Sequence, residues 1–372
     1  MARLACEQRL SSILLCLRAP QCFVGHLMKL RHLFSFACLA MNTVNAAPIT
    51  YPGGEGAGKG KHIVFIASDH EYRSEEACPA MARILAKSHG FKCTVIFGTD
   101  AKGFIEAGSS NIAGMEALKD ADLMVIFARF LNPPESEMTH LTDYLARGGP
   151  VVGLRTSSHA FKIPANAPNA KYSYDSKVKA YEKGFGHQVL GNTWVGHHGT
   201  NHKQGTRIQL IADQKQHPIL RGVTDNAFCH AGGYVGEAGA DFTVLANSQP
   251  LLSMDPKSDP DPAKASMPST WTREYTGANG TKGRVFHSTQ GASEDFLDPS
   301  YRRMILNGIF WAVGLEAQIK PDLNIDFIGE YRPKTFSFNG AAKSVKPADL
   351  AGFDSPIMPP EKCVDMPLPP GD

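Results

Sequence analysis

Three short apolar runs that each break off into polar residues constrain this chain more than any other feature. His62 to Ala67 (HIVFIA) runs into Ser68-Asp69-His70-Glu71-Tyr72-Arg73, Asp122 to Ala128 (DLMVIFA) ends in Arg129, and Val151 to Leu154, behind Gly148-Gly149-Pro150, drops into Arg155-Thr156-Ser157-Ser158-His159. Apolar runs of this length, without polar alternation, read as strands buried on both faces. Between them lie helical patterns. Ser74 with Glu76 and Ala77 opens an Ala/Leu/Ile-rich stretch through Ala86, and Pro134, Glu135 and Glu137 open Met138 to Arg147, closed by Gly148-Gly149. Strands alternating with such helices imply an α/β chain with a parallel sheet covered on both faces. Three polar loops then share the sheet edge where ligands collect in such folds. For Arg155 to His159 the plainer alternative is a helix N-terminus capped by Thr156 or Ser157.

The ends of the chain have a different character. Met28-Lys29-Leu30-Arg31-His32, the apolar Leu33 to Met41 and Val44-Asn45-Ala46 follow the basic, apolar and small-residue order of a secretory signal. Residues 1–46 are therefore read as a signal region with its true start at Met28, and the protein as exported, periplasmic or extracellular. The apolar part is too short to span a bilayer, so no stable membrane span is expected after cleavage. Gly53 to Gly60 marks residues 47–60 as a flexible linker, residues 61–315 carry the domain, and residues 316–372 lose periodicity and gain prolines, as a surface tail does. Phe327-Ile328 and Phe336-Ser337-Phe338 are patches able to pin that tail down. Cys78, Cys93, Cys229 and Cys363 are too few and too scattered for a disulfide scaffold, so stability must come from a core. With 38 basic and 36 acidic residues and no basic run interleaved with aromatics, nucleic acid is not an expected partner.

In the second half, Ala180 to Leu190 reads as a helix. Thr206 to Ala212, Phe242 to Ala246, Thr270 to Glu274 and Gly283 to His287 read as strands, and Tyr301 to Val313 as a terminal helix with a buried stripe. The loop Gly196-His197-His198-Gly199-Thr200-Asn201-His202 concentrates imidazoles. Neighbouring side chains on an extended segment point to opposite faces, so His197 and His198 meet one ion only across a turn. A metal would also need distant ligands such as His187 or His230. Substrate contact is the preferred reading; a divalent metal on His197, His198 and His202 stays open, and no cofactor is expected.

Taken in order, HIVFIASDHEYRSEE, DLMVIFARF, GGPVVGLRTSSHAF, HPILRGV, PSTWTREY, GRVFHSTQG and DPSYRRMILNGIFWAVG resemble the ThuA-like (trehalose-utilization) family over about residues 60 to 315. The resemblance implies a class I glutamine-amidotransferase-like fold, a flavodoxin-like three-layer sandwich with a mainly parallel central sheet, and a link to carbohydrate metabolism. In glutamine amidotransferases the turn after this strand carries a cysteine nucleophile; here Gly153-Leu154-Arg155-Thr156 offers none, so thiol-based glutamine hydrolysis is not expected. Gln290-Gly291 stands where many relatives carry a Gly-His pair, and no histidine role transfers there. A serine nucleophile is disfavoured: no G-x-S-x-G elbow is present, and residues two apart on a helix, as Ser157 and His159 are, do not face each other.

The residues themselves supply acid, base and cation. Glu71 and His159 are the expected proton-transfer pair, with Arg155 as a permanent cation in place of a nucleophile. His70, Arg129, Thr156, Ser157, Trp194, His197, His198, His202 and His230 are the expected substrate contacts. The family link adds that the ligand is a small saccharide or keto-sugar glycoside. The alternative is a non-catalytic saccharide-binding or scaffolding protein with Trp194 and Trp271 as stacking platforms. Export is checked at the N-terminus: sequencing of the secreted protein should find a chain beginning near Ala47, and recovery of residues 1–27 intact would refute the start at Met28.

Overall fold

The computed structural model describes residues 46–235 and 241–357; the segment expected to be a signal region, up to residue 45, residues 236–240 and the last fifteen residues, 358–372, lie outside the described residues. Among those described, the strands are β1 (Ile49–Tyr51), β2 (His62–Ser68), β3 (Lys92–Phe97), β4 (Leu123–Ala128), β5 (Val151–Leu154), β6 (His197–His198), β7 (Thr206–Leu210), β8 (Ala227–Cys229), β9 (Gly233–Tyr234), β10 (Thr243–Pro250), β11 (Met267–Thr276) and β12 (Lys282–Ser288). The α-helices are α1 (Ser74–His89), α2 (Glu135–Ala146) and α3 (Pro299–Ala312). The apolar runs β2, β4 and β5 are buried at every position. Successive residues of β2 serve opposite faces. Ile63 and Phe65 join the core beneath α1 and α3, whereas Val64 and Ile66 join the one beneath α2.

Ten strands form one sheet in the order β1-β3-β2-β4-β5-β12-β11-β10-β7-β8. From β3 to β12 the neighbours run parallel. From β12 to β8, and between β1 and β3, they run antiparallel. The expected mainly parallel sheet is thus corrected to a mixed one. The reason is connection length: only residues 277–281 separate β11 from β12, and a parallel crossover needs roughly a dozen residues or more.

Other expectations change for equally local reasons. The stretch read as a flexible linker holds β1, and the following glycines dock on the end of α1, with Gly54 N donating to Gly90 O (3.1 Å) and Gly58 N to His89 O (2.8 Å). A Cβ on Gly53 would lie 2.5 Å from Gly90 O, so glycine here serves close approach rather than flexibility. The helix expected over Ala180 to Leu190 shrinks to one wide turn, Gly186–Leu190, because Ala180, Lys183 and Gly184 take left-handed φ values of 65°, 59° and 60°. The strands β3, β6, β8 and β9 fall outside those expected from the sequence. The tail is not loose as far as residue 357: Phe336, Val345 and Leu350 are fully buried in the α1 core, and Arg83 of α1 donates to Leu350 O (2.9 Å) and Ser355 O (2.5 Å). Single anchors along an extended chain leave no periodic trace, which is why this segment looked like surface.

The helix α3 begins on Asp298, whose carboxylate accepts from Ser300 N and Tyr301 N, and packs over β12. A Cβ on Gly308 would lie 2.4 Å from the Phe286 ring. Helix propensity favours Gly308→Ala by ~1 kcal/mol, but overpacking costs ~1–3 kcal/mol. Denaturant unfolding should show net destabilisation of this variant; a stabilised variant would mean that the two elements separate easily.

Candidate functional site

The loops after β2, β4 and β5 converge. After β2, Asp69 Oδ1 accepts from the backbone N–H groups of Glu71 (2.8 Å) and Tyr72, a turn that fixes both side chains. Glu71 forms an ion pair with Arg129, their side chains 4% and 10% exposed. Asn201 Nδ2 bridges Tyr72 Oη (2.8 Å) and Glu71 Oε1 (3.4 Å). Burial pushes the Glu71 carboxyl above its ordinary value, with Arg129 the main influence pulling it back. The Arg129 guanidinium lies between the rings of Phe130 (5.3 Å) and Phe338 (5.1 Å).

Phe130, held at φ 53°, ties the second loop to the third: its N–H donates to His159 O (3.0 Å) and its ring lies 5.0 Å from the His159 ring. His159 is 1% exposed and packed also by Trp194 (5.2 Å) and Tyr234 (5.5 Å). Burial, reinforced by Arg129 and Arg155, drops its pKa well below the ordinary value, so the imidazole is neutral. His70 is half-buried at the rim, 5.3 Å from the Phe338 ring, and burial lowers its pKa too.

Arg155, Thr156 and Ser157 are placed differently from expectation. All three are 0% exposed. Arg155 adopts φ 43°, donates from Nη1 to Gly232 O (2.6 Å) and Thr289 O (3.1 Å), and lies 3.6 Å beneath the Tyr72 ring and 4.9 Å from that of Tyr234. It forms the floor of the site, behind the tyrosines. Ser157 Oγ is spent on the backbone of Leu154 and Ile126, and Thr156 Oγ1 is buried without a hydrogen-bond partner. The tight turn after β5 tucks these side chains under the loop instead of presenting them. Ser158 Oγ does reach His159 Nδ1 (3.1 Å), although it too is fully buried.

The histidines diverge. His197 Nε2 hydrogen-bonds with Tyr72 Oη (3.3 Å) at the rim, whereas His198, its neighbour on β6, donates to Ala265 O (2.7 Å), and His202 stacks on Phe336 at 4.2 Å. His230 lies against Phe228 (5.0 Å), its imidazole 3.9 Å from Asp295. Among the described residues, no group of three or more His, Cys, Asp or Glu is gathered as a metal would require. Trp194 borders the site, but Trp271 is 1% exposed, donates to Leu190 O (2.9 Å) and stacks on Phe242, so it offers no platform.

Residues 63–312 match the family model ThuA, described as trehalose utilisation. The chain belongs to the ThuA family. No curated protein sequence matches it. Among solved structures it is similar to a ThuA-like protein from Parabacteroides merdae ATCC 43184 (15% identity, 76% of this chain and 98% of that one, TM-score 0.44). Another is a ThuA-like protein from Bacteroides uniformis ATCC 8492 (17% identity, 74% and 100%, TM-score 0.42). In this ThuA chain the described cysteines, Cys78, Cys93 and Cys229, are buried and their thiols pushed well above the ordinary value, which suits none of them to nucleophilic work.

Sequence reasoning passes over Tyr72, Asn201 and Tyr234, and gives Phe336 and Phe338 a part in pinning the tail but none at the site. Tyr72 directly follows Glu71 and carried a usable signal; Tyr234 and Asn201 reach the site only through the fold. The acidic start of α1 is more than a helix boundary: Glu75 and Glu76 are each 2% exposed. Burial pushes Glu75 up to about 7, and burial with the adjacent Glu75 charge pushes Glu76 up to about 8. The folded state then binds these protons more tightly than the unfolded chain. Their contribution to stability is complete below the ordinary carboxyl value and is lost as pH rises through about 7 to 8. The melting temperature of Glu76→Gln should fall less than that of the parent between about pH 5 and about pH 9; equal slopes would remove this pair as a cause.

Proposed function

We propose that this ThuA family member is an exported enzyme that moves protons on a small sugar or keto-sugar glycoside, without a covalent nucleophile and without a resident cofactor. The observation that carries the reading is the buried Glu71–Arg129 pair beside a neutral His159, under a rim of Phe130, Trp194 and His197. A carboxyl raised by burial is a better base than an ordinary one. With a keto-sugar, Glu71 takes a proton from the carbon next to the carbonyl, and the electron pair moves onto the carbonyl oxygen, where Arg129 offsets the charge. Where that carbon bears a hydroxyl, transfer of the hydroxyl proton to the charged oxygen and return of the carbon-bound proton to the former carbonyl carbon isomerise the sugar. Alternatively, the electron pair expels the glycosidic oxygen from the next carbon in an elimination, and that oxygen takes up a proton as it leaves. Neutral His159, kept by burial and the two guanidinium groups from holding a second proton, relays one by taking it at one ring nitrogen as it gives up the other. Arg155 holds Tyr72 and Tyr234 in place from beneath. Sugar as the substrate class is supported by the family description alone; export is supported by the order of residues 28–46.

A second reading has one observation in its favour: the ring faces around Arg129 suit a saccharide that is held without being altered. Incubation of the purified protein with disaccharides and their 3-keto forms separates the two. Removing a positioned acid or base lowers rates by ~100- to 10,000-fold, so Glu71→Gln and His159→Ala should lose turnover on that scale while circular dichroism stays native and binding persists. Near-normal turnover in both variants would sink the acid–base assignment, and a sugar adduct trapped on Ser158 would replace it with a covalent route.

A further inference from the structure

Past residue 312, where the family match ends, the chain returns to the site. Lys334 N donates to Glu76 Oε2 (3.2 Å), Arg73 donates from Nη2 (2.9 Å) and Nε (3.3 Å) to Thr335 O, Thr335 Oγ1 donates to Glu294 Oε2 (3.1 Å), and Ser337 N donates to Glu71 O (2.9 Å). Phe336 is fully buried between the rings of Tyr72 (5.0 Å) and His202 (4.2 Å). These contacts fix the next side chain, Phe338, at the mouth. Its ring lies 5.3 Å from His70 and 5.1 Å from the Arg129 guanidinium, and it is 39% exposed. It adds little to the core, although the backbone on its N-terminal side is tied down at Lys334, Thr335 and Ser337.

We propose that residues 334–338 are the outer wall of this site and that Phe338 selects its ligand. The ligand class follows from what the wall presents. An exposed aromatic face packs against the C–H face of a pyranose ring, and a guanidinium edge beside it binds a carbonyl or carboxylate oxygen. The ligand is therefore a single oxidised sugar ring, a keto-sugar or a uronate, lying on Phe338 with its oxidised carbon toward Arg129. Ligand choice by Phe338 rests on the sugar reading above; the wall rests only on the contacts of residues 334–338.

Two measurements on the intact protein test both halves. Diethyl pyrocarbonate labelling, read by peptide mass spectrometry, should modify His70 several-fold faster in Phe338→Ala than in the parent, with His140 on α2 unchanged as the internal reference and Phe338→Tyr restoring the slow rate. An unchanged His70 rate overturns the wall. Calorimetric titration with D-glucuronate and with methyl 3-keto-glucoside should show binding weakened about 2- to 10-fold in Phe338→Ala, the scale of one aromatic stacking contact. Equal affinity in parent and variant overturns Phe338 as the selector. Faster His70 labelling with no saccharide bound by the parent sinks the sugar reading, and Phe338's part in ligand choice with it, and leaves the wall standing.

Discussion

The burial of the Glu71–Arg129 pair is the constraint on which the rest of the site depends. Two charges taken out of water lose several kcal/mol of hydration each, roughly, and their attraction offsets this only when the remaining polar atoms and faces are also satisfied. The structure meets that demand only in part, from several elements, and leaves Arg129 Nε buried without a hydrogen-bond partner. Asn201 reaches the second carboxylate oxygen, two aromatic rings flank the guanidinium, and the Asp69 turn fixes the backbone of Glu71. A further guanidinium, that of Arg155, lies behind Tyr72 and pulls the Glu71 carboxyl down without touching the mouth. Each of these groups also shapes what a ligand would meet.

The same demand explains why the second half of the chain matters to a site that the first half begins. The loops after β2, β4 and β5 bring Glu71, Arg129 and His159 to one edge, as parallel strands do with their carboxyl ends. They do not close it. Tyr234 on β9, His197 on β6 and Asn201 come from the segments between β5 and β10, and the wall at 334–338 comes from beyond α3. The antiparallel flank β12-β11-β10-β7-β8 is the frame from which these segments are suspended.

The carboxyls of Glu75 and Glu76 show the other use of burial in this protein. They sit at the start of α1, where the helix dipole favours negative charge, yet burial outweighs that preference and raises both. Through Lys334 N, Glu76 also holds the wall, so one buried acidic group links the stability of α1 to the position of Phe338.

The sequence by itself determined the buried strands β2, β4 and β5, the helices α1, α2 and α3, and the gathering of three polar loops, because unbroken apolar runs with helical spacers admit few arrangements. It also indicated Glu71, Arg129 and His159 as neighbours, since each follows such a strand within a few residues. It did not determine which way the side chains of the β5 turn face. Arg155 and Ser157 occupy positions that look exposed in one dimension and are covered only because Tyr72, Tyr234 and Ile126 arrive from elsewhere. The opposite facing of His197 and His198 also follows from alternation along an extended segment. Tertiary structure alone decided the antiparallel half of the sheet, the seat of His202 on Phe336, and the return of the tail to the mouth. These rest on contacts between residues far apart in the chain, made one side chain at a time, and such contacts leave no period or composition in the sequence from which to read them.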